Sequence, residues 1–428
     1  VTFGWWRGYL YPFLLSPAAT ATIREGTFAD IYAKSSEPEE ELPDFHYLIH
    51  DDCVEIIGWG GEATELVIPD RIEGLPVTGI GEYTFFHCSS LTSIALPSAI
   101  TYIGESTFYG CTSLTSIEIP GSVTSIGEYA FRGCSGLTDI VIPDSVTYIG
   151  GGAFFECSGL TGIDLPDSIT SINNGLFYEC TSLTDIEIPD GVTQIGYFSF
   201  HNCYSLTSID LPDSITVING DAFWNCSSLT SIDLPDSLTY IGESAFHDCS
   251  SLISIEIPTS VTYIGAEAFY LCESLTGIHV DENNPNYSSD DRGVLFDKAK
   301  TRLICAPCGI KGTYTIPDGV TEIGYGAFSQ CIDLTAVEIP DSVTYIGAYA
   351  FSWCNSLTSI NLPIGVTCID YGTFLACYRL PSIEIPRSVT YIGSSAFNGC
   401  DILTNIYFSG DAPVFDKSAF YDVIATAY

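Results

Sequence analysis

Residues 114–136 read LTSIEIPGSVTSIGEYAFRGCSG, and at Leu137 the same order of residue types begins again. Cysteine marks the register. It stands at 88, 111, 134, 157, 180, 203, 226, 249 and 272 in steps of 23, and after an interval of 59 it returns at 331, 354, 377 and 400. Thirteen of the 17 cysteines thus share one column. A fixed period of this length marks a stacked solenoid, in which each unit packs only on its neighbours. It also explains how 428 residues can avoid dividing into separate globular cores.

Within the unit, Leu114, Ile117 and Ile119 alternate with Ser116 and Glu118, the period-two pattern of a half-buried strand. Pro120 ends it by removing a ladder donor. A second extended stretch runs from Val123 to Ile126 and meets Gly127. Tyr129, Ala130 and Phe131 are then expected in a tight helical or 3₁₀ turn that buries Phe131. The place of Gly127 is held by glycine at 81, 104, 150, 196, 242, 265, 324, 347 and 393, and otherwise by Asn173, Asn219 or Asp370. These residue types best tolerate positive φ, so the column is expected to be a left-handed turn. Each coil is strand, turn, strand, turn, and one coil cannot bury its own apolar face.

The pattern L-T-x-I-x-[IL]-P-x-x-[VIL]-T-x-I-[GN]-x-x-[AST]-F-x-x-C, in register from Leu66 to Phe420, resembles the BspA-like, or treponemal-type, leucine-rich-repeat family. The resemblance implies a mainly β repeat solenoid of the leucine-rich-repeat type, with 23-residue coils, curved and right-handed, on a bacterial surface or secreted. It further implies extracellular adhesion to host matrix proteins, other bacteria or cell-surface scaffolds.

Four regions follow. Residues 1–34 fit no repeat. Arg7, the apolar run Gly8 to Leu15 and Ala19-Thr20-Ala21 imitate a secretory signal. Trp5, Trp6, Tyr9, Tyr11 and Phe13 point instead to a folded aromatic arm, able to mediate self-association. Residues 35–43 form an acidic linker, 44–82 a degenerate N-terminal cap, and 83–428 the solenoid. At 281–316 (DENNPNYSSDDRGVLFDKAKTRLICAPCGIKGTYTI) the period breaks, and Val294–Phe296 and Arg302–Cys305 read as a β-hairpin around Asp297–Thr301. The resemblance also implies that the chain continues past residue 428 toward an anchoring or docking module.

Composition narrows the partners. With 13 basic and 53 acidic residues the net charge is −40. Such a surface repels nucleic acid and anionic membrane, and no run of eighteen apolar residues is present to span a bilayer. The residue between the two buried strand isoleucines is acidic at Glu118, Asp164, Glu187, Asp210, Asp233, Glu256, Glu338 and Glu384, with Asp144, Asp167, Asp190, Asp213 and Asp236 beside it. This row reads as a solvated face, as a site for a cationic protein or peptide, or as a calcium site. Calcium fits least, because it needs oxygens in three dimensions rather than in one line.

Two aromatic columns run in parallel: Tyr102, Tyr148, Tyr240, Tyr263, Tyr345 and Tyr391, then Phe86, Tyr109, Phe155, Tyr178, Trp224 and Tyr270. Rows of exposed rings can stack on sugars or anchor proteins, while β propensity and cover for a neighbouring coil explain them equally well. Five of the 13 basic residues sit in the insert, at Arg292, Lys298, Lys300, Arg302 and Lys311. They read either as part of a spacer or as a site for an acidic partner or another copy. The cysteine column reads as buried reduced thiols. Cys305 and Cys308 are a lone C-x-x-C with no second pair for a metal, which leaves a local disulfide open.

No catalytic motif accompanies the repeat. His201 and His247 share a column two coils apart, about 10 Å, too far for one ion, and there is no G-x-S-x-G, H-E-x-x-H or phosphate loop. The sequence points to a binding module without cofactor or metal, facing a protein or glycan outside the cell. A self-assembling surface or fibre protein and a docking module of a larger secreted protein are the competing readings.

Overall fold

The computed structural model describes residues 45–428. The aromatic arm, the acidic linker and any self-association through residues 1–34 lie outside them. The described chain is a β-solenoid of about 16 coils roughly 23 residues apart. No helix occurs among the described residues.

Each coil contributes two very short rungs. In the unit that starts at Leu114 these are Ser116–Ile117 and Ser125–Ile126. The first pairs in parallel with Ser93–Ala95, Ile94 against Ile117. The second lies between Tyr102–Ile103 and Tyr148–Ile149, with Ile103, Ile126 and Ile149 in line. Two residues cannot hold a strand alone, so the rungs exist because equivalent residues repeat beside them. Threonine hydroxyls reinforce both columns by donating to the carbonyl 23 residues earlier, as Thr124 does to Thr101 and Thr184 to Thr161.

Inward, each coil places one phenylalanine on the next. The rings of Phe85, Phe108, Phe131, Phe154 and their successors stack nearly parallel at 5.2–5.8 Å as far as Phe269, and the stack resumes from Phe328 to Phe420. The cysteines are free thiols. From Cys111 to Cys272 each Sγ donates to the carbonyl of the phenylalanine 26 residues earlier: Cys111 to Phe85 and Cys180 to Phe154, both at 3.1 Å. Cysteine therefore fills the corner and satisfies a buried carbonyl together. Cys305 and Cys308 are free as well.

The glycine column corrects the expectation of a left-handed turn. None of its members, nor Asn173, Asn219 or Asp370, has positive φ. Glycine is needed because the neighbouring backbone is too close. A Cβ on Gly127 would meet Glu105 N and Gly104 C at 2.6 Å, and one on Gly242 would meet Gly220 N at 2.3 Å. Asn173 and Asn219 instead donate their side-chain amides to the carbonyls of Ile149 and Ile195.

Left-handed backbone occurs twice per coil elsewhere. It falls two residues after the glycine, as at Tyr129 (φ 54°), and immediately before the cysteine, as at Gly133 (φ 71°). These two reversals also prevent the expected helical turn at Tyr129–Phe131. The segment becomes a ridge whose amides bond to the next coil: Tyr129, Phe131 and Gly133 donate to Gly151, Ala153 and Phe155.

An antiparallel hairpin, Phe45–Ile49 with Val54–Trp59, begins the described chain, and its second strand pairs in parallel with Leu75–Ile80. The insert at 281–316 is a three-stranded meander. Tyr287–Ser289 and Arg302–Cys305 flank Leu295–Asp297 antiparallel, and Arg302–Leu303 then rejoins the solenoid opposite Glu322–Ile323. The core divides here into one cluster N-terminal to the insert and one C-terminal to it.

Candidate binding surfaces

The strand face is built by alternation. Ile163 and Ile186 point inward, so Asp164 and Glu187 must point out. All eight predicted acidic residues, Glu118, Asp164, Glu187, Asp210, Asp233, Glu256, Glu338 and Glu384, are exposed, as are Asp144, Asp167, Asp190, Asp213 and Asp236 beside them. The row is in register: Glu118 pairs with Val141, Val141 with Asp164, and Glu187 with Asp210. Five carboxylates from Asp164 to Glu256 therefore occupy consecutive rungs. His279 stands opposite Glu256 on the next rung, and Asn361 interrupts the row between Glu338 and Glu384. No Lys or Arg occurs among residues 133–291, so over several coils the only permanent charge is negative.

The tyrosine column is interrupted. Tyr240 and Tyr263 stack at 4.9 Å, whereas Tyr102, Tyr148, Tyr345 and Tyr391 stand apart from one another. Tyr148, Tyr263, Tyr345 and Tyr391 are exposed, and Tyr102 and Tyr240 are half-buried.

The other aromatic column is continuous, and three of its members escaped the sequence reading. Phe86 meets Tyr109 at 4.9 Å. The guanidinium of Arg132 lies over Tyr109 and Phe155 at 5.1 and 4.3 Å. Phe155 stacks on Tyr178, Tyr178 on His201, His201 on Trp224, Trp224 on His247 (3.7 Å), and His247 meets Tyr270. Arg132, His201 and His247 fill the coils that lack a Phe, Tyr or Trp. Following every residue at intervals of 23 from Phe86, rather than the rings alone, would have found them. Burial lowers the pKa of His201 and His247 to about 4, and the His201 charge adds to the effect at His247. Both rings are therefore neutral stacking surfaces at neutral pH. Beside them the left-handed positions carry an amide ladder, in which Asn225 donates to Asn202 and Asn202 to Glu179.

The five cations of the insert are turned onto this chain. Arg292 donates to the carbonyls of Lys311 and Thr313, and Lys298 donates to that of Glu282. Lys300 lies over Phe296. Arg302 pairs with Glu322 at 3.0 Å and Lys311 with Asp333 at 3.1 Å. Asp290 gathers the meander, accepting from the amides of Arg292 and Val294 and from the Tyr314 hydroxyl.

Where the insert rejoins the solenoid, the ridge has a cavity of about 80 Å³ lined by Glu267, Tyr270, Arg302, Ile304, Cys305 and Tyr325 among others. Burial raises the pKa of the Glu267 carboxyl, and the charge of Glu243 adds to it. No group of His, Cys, Asp or Glu suited to a metal ion occurs among the described residues, nor a helix long and apolar enough to cross a membrane.

A family model described as a BspA type leucine rich repeat region matches residues 62–183, 170–290 and 306–426. Among solved structures, a leucine rich cell surface protein from Faecalibacterium prausnitzii is 30% identical with TM-score 0.61, over 92% of this chain and 95% of the other. A leucine-rich repeat protein from Bacteroides ovatus is 28% identical with TM-score 0.57, over 89% and 99%. A T. pallidum leucine rich repeat protein is 34% identical over 43% of this chain and 87% of its own, with TM-score 0.42. No curated protein matches significantly.

Proposed function

The chain belongs to the BspA-type leucine-rich repeat family, and from that premise we propose that it is a bacterial cell-surface scaffold whose strand face takes a cationic protein ligand. The repeat-solenoid fold is typical of non-enzymatic scaffolds, and the F. prausnitzii relative is described as a cell surface protein. One observation carries the choice of ligand: Asp164, Glu187, Asp210, Asp233 and Glu256 are exposed on consecutive rungs, within a stretch that has no Lys or Arg. Rungs about 4.8 Å apart make each neighbouring pair repel by about 1 kcal/mol even at the dielectric constant of water. A solvated face alone could be made with mixed charges, without that repulsion. A row of opposite charges on a partner removes the repulsion and steers its approach. The exposed rings of Tyr148 and Tyr263, on the second rung of their coils, supply further apolar area.

The test is binding of a fluorescein-labelled oligolysine peptide at about 150 mM salt, where bare long-range attraction is screened. Neutralising the five residues together (D164N, E187Q, D210N, D233N, E256Q) should weaken it by about tenfold or more. An unchanged affinity would remove the strand face from the mechanism.

A further inference from the structure

The insert shortens the ridge by one projecting turn. In the regular coil Leu252, whose amide bonds to the Cys249 carbonyl, follows rung residue Ile241 by eleven positions. In the insert coil Leu303 takes the rung position opposite Ile323, and Ile310, whose amide bonds to the Pro307 carbonyl, follows it by only seven positions, so four residues of the ridge are missing. The missing residues are those that elsewhere carry the left-handed reversal and the stacked ring. A notch one coil wide is left between the coil of Tyr270 and the coil of Tyr325. Tyr270 leans across it, its hydroxyl accepting from Ser329 at 3.1 Å, and about 80 Å³ remains open.

Size and charge define what fits. Sites for whole small molecules enclose about 300–1,000 Å³, so this cavity takes a single side chain. Apolar Ile304, Cys305 and Ala306 line it, together with the rings of Tyr270 and Tyr325. Glu267 is half-buried and accepts a hydrogen bond from the Tyr325 hydroxyl, but it enters none of the ion pairs among the described residues, while the nearby cation Arg302 is held by Glu322. A partly desolvated carboxylate beside tyrosine rings is the complement of a cation with a planar, weakly hydrated head.

Resting on the reading of a cationic ligand, we propose that this notch is the anchor site for one arginine side chain of that partner, its guanidinium bonded to Glu267 and packed on Tyr325. Arginine is favoured over lysine because its fork can bond a carboxylate while its plane lies on a ring. An arginine in such a pocket would concentrate binding energy at one point of an otherwise diffuse electrostatic surface.

The probe is acetyl-Gly-Ser-Arg-Ser-Gly-amide, whose single cation isolates the notch from polyvalent attraction. Binding to the full chain is followed by saturation-transfer NMR at about 150 mM salt. Glu267→Gln and Tyr325→Ala should each weaken binding about fivefold or more. Asp411→Asn, an exposed carboxylate near the C-terminal end and outside both surfaces, should leave it within about twofold. The citrulline peptide should bind about fivefold more weakly or less still. No binding to the unaltered chain, equal binding of the citrulline or lysine peptide, or affinity unmoved by Glu267→Gln and Tyr325→Ala overturns the proposal. The oligolysine measurement on the five-residue variant reports on the strand face alone, so either idea can fail without the other. Circular dichroism melts of each variant separate loss of fold from loss of site.

Discussion

Gly242 and Gly121 look alike in the sequence and differ in three dimensions. A Cβ on Gly242 would stand 2.3 Å from Gly220 N, while one on Gly121 would meet nothing within 4 Å. Gly242→Ala should therefore destabilise the fold by about 2–3 kcal/mol through overpacking, and Gly121→Ala should change it by about 0.5 kcal/mol or less. Urea midpoints measure both, and equal effects would show that close approach is not what the column requires. The column was legible as special from its glycines, but its cause was not. Positive φ is a property of the residue itself, whereas the obstructing backbone belongs to a residue 22 or 23 positions earlier. The cysteine column was read as buried thiols, and all its members are free and all but the part-exposed Cys88 are buried, because an in-register row packs well and pairs poorly. The carbonyl that each thiol satisfies became visible only once the preceding phenylalanine had a place.

Among the elements, the aromatic ladder is the one that pH can address. His201 and His247 titrate near 4 in the folded chain and near 6.5 when unfolded. The unfolded state thus takes up protons first as pH falls. Stability supplied by the neutral ladder is complete above about pH 6.5 and declines as pH drops toward 4. Asp221 runs the other way: burial, with the charges of Glu243 and Glu267, raises its pKa to about 6, so its ionisation weakens the fold as pH rises from about 4 to 6. Replacing both histidines by phenylalanine should flatten the fall in melting temperature between pH 6.5 and 4, and a slope as steep as that of the unaltered chain would exclude them as its source. The ladder was half legible, since its Phe, Tyr and Trp members announce themselves and Arg132 does not read as a stacking residue. Likewise the hairpin in the insert follows from its apolar segments and polar turn. Its third strand, Tyr287–Ser289, is too polar and too short to stand out.

At the scale of the whole molecule the insert is a seam. The buried clusters meet around Val294 and Leu295, one running back to Phe45 and the other forward to Ala419. The rung Gly277–Val280 pairs backward to Ser254–Ile257, while Gly312–Thr315 pairs forward to Leu334–Glu338. Nearest-neighbour coupling is therefore weakest between them. Hydrogen exchange in rising urea should resolve two unfolding units with their boundary inside 281–316, and simultaneous loss of protection on both sides would mean that the meander transmits cooperativity fully. The broken period marked the insert in the sequence, where it read as a spacer or a site for an acidic partner and not as a seam. That the interruption also opens a notch on the ridge was not legible, because it depends on which four residues the insert coil omits.

The free thiols bear on how such a chain can change over generations. A solenoid stapled by cystine pairs could gain or lose coils only in matched sets, since a single added coil would orphan a sulfur. From Cys111 to Cys272 each thiol bonds to a carbonyl that the preceding coil supplies, so a coil duplicated or deleted within that run leaves no partner missing. The repeat number is then free to drift one coil at a time, and the length of the outward surface with it.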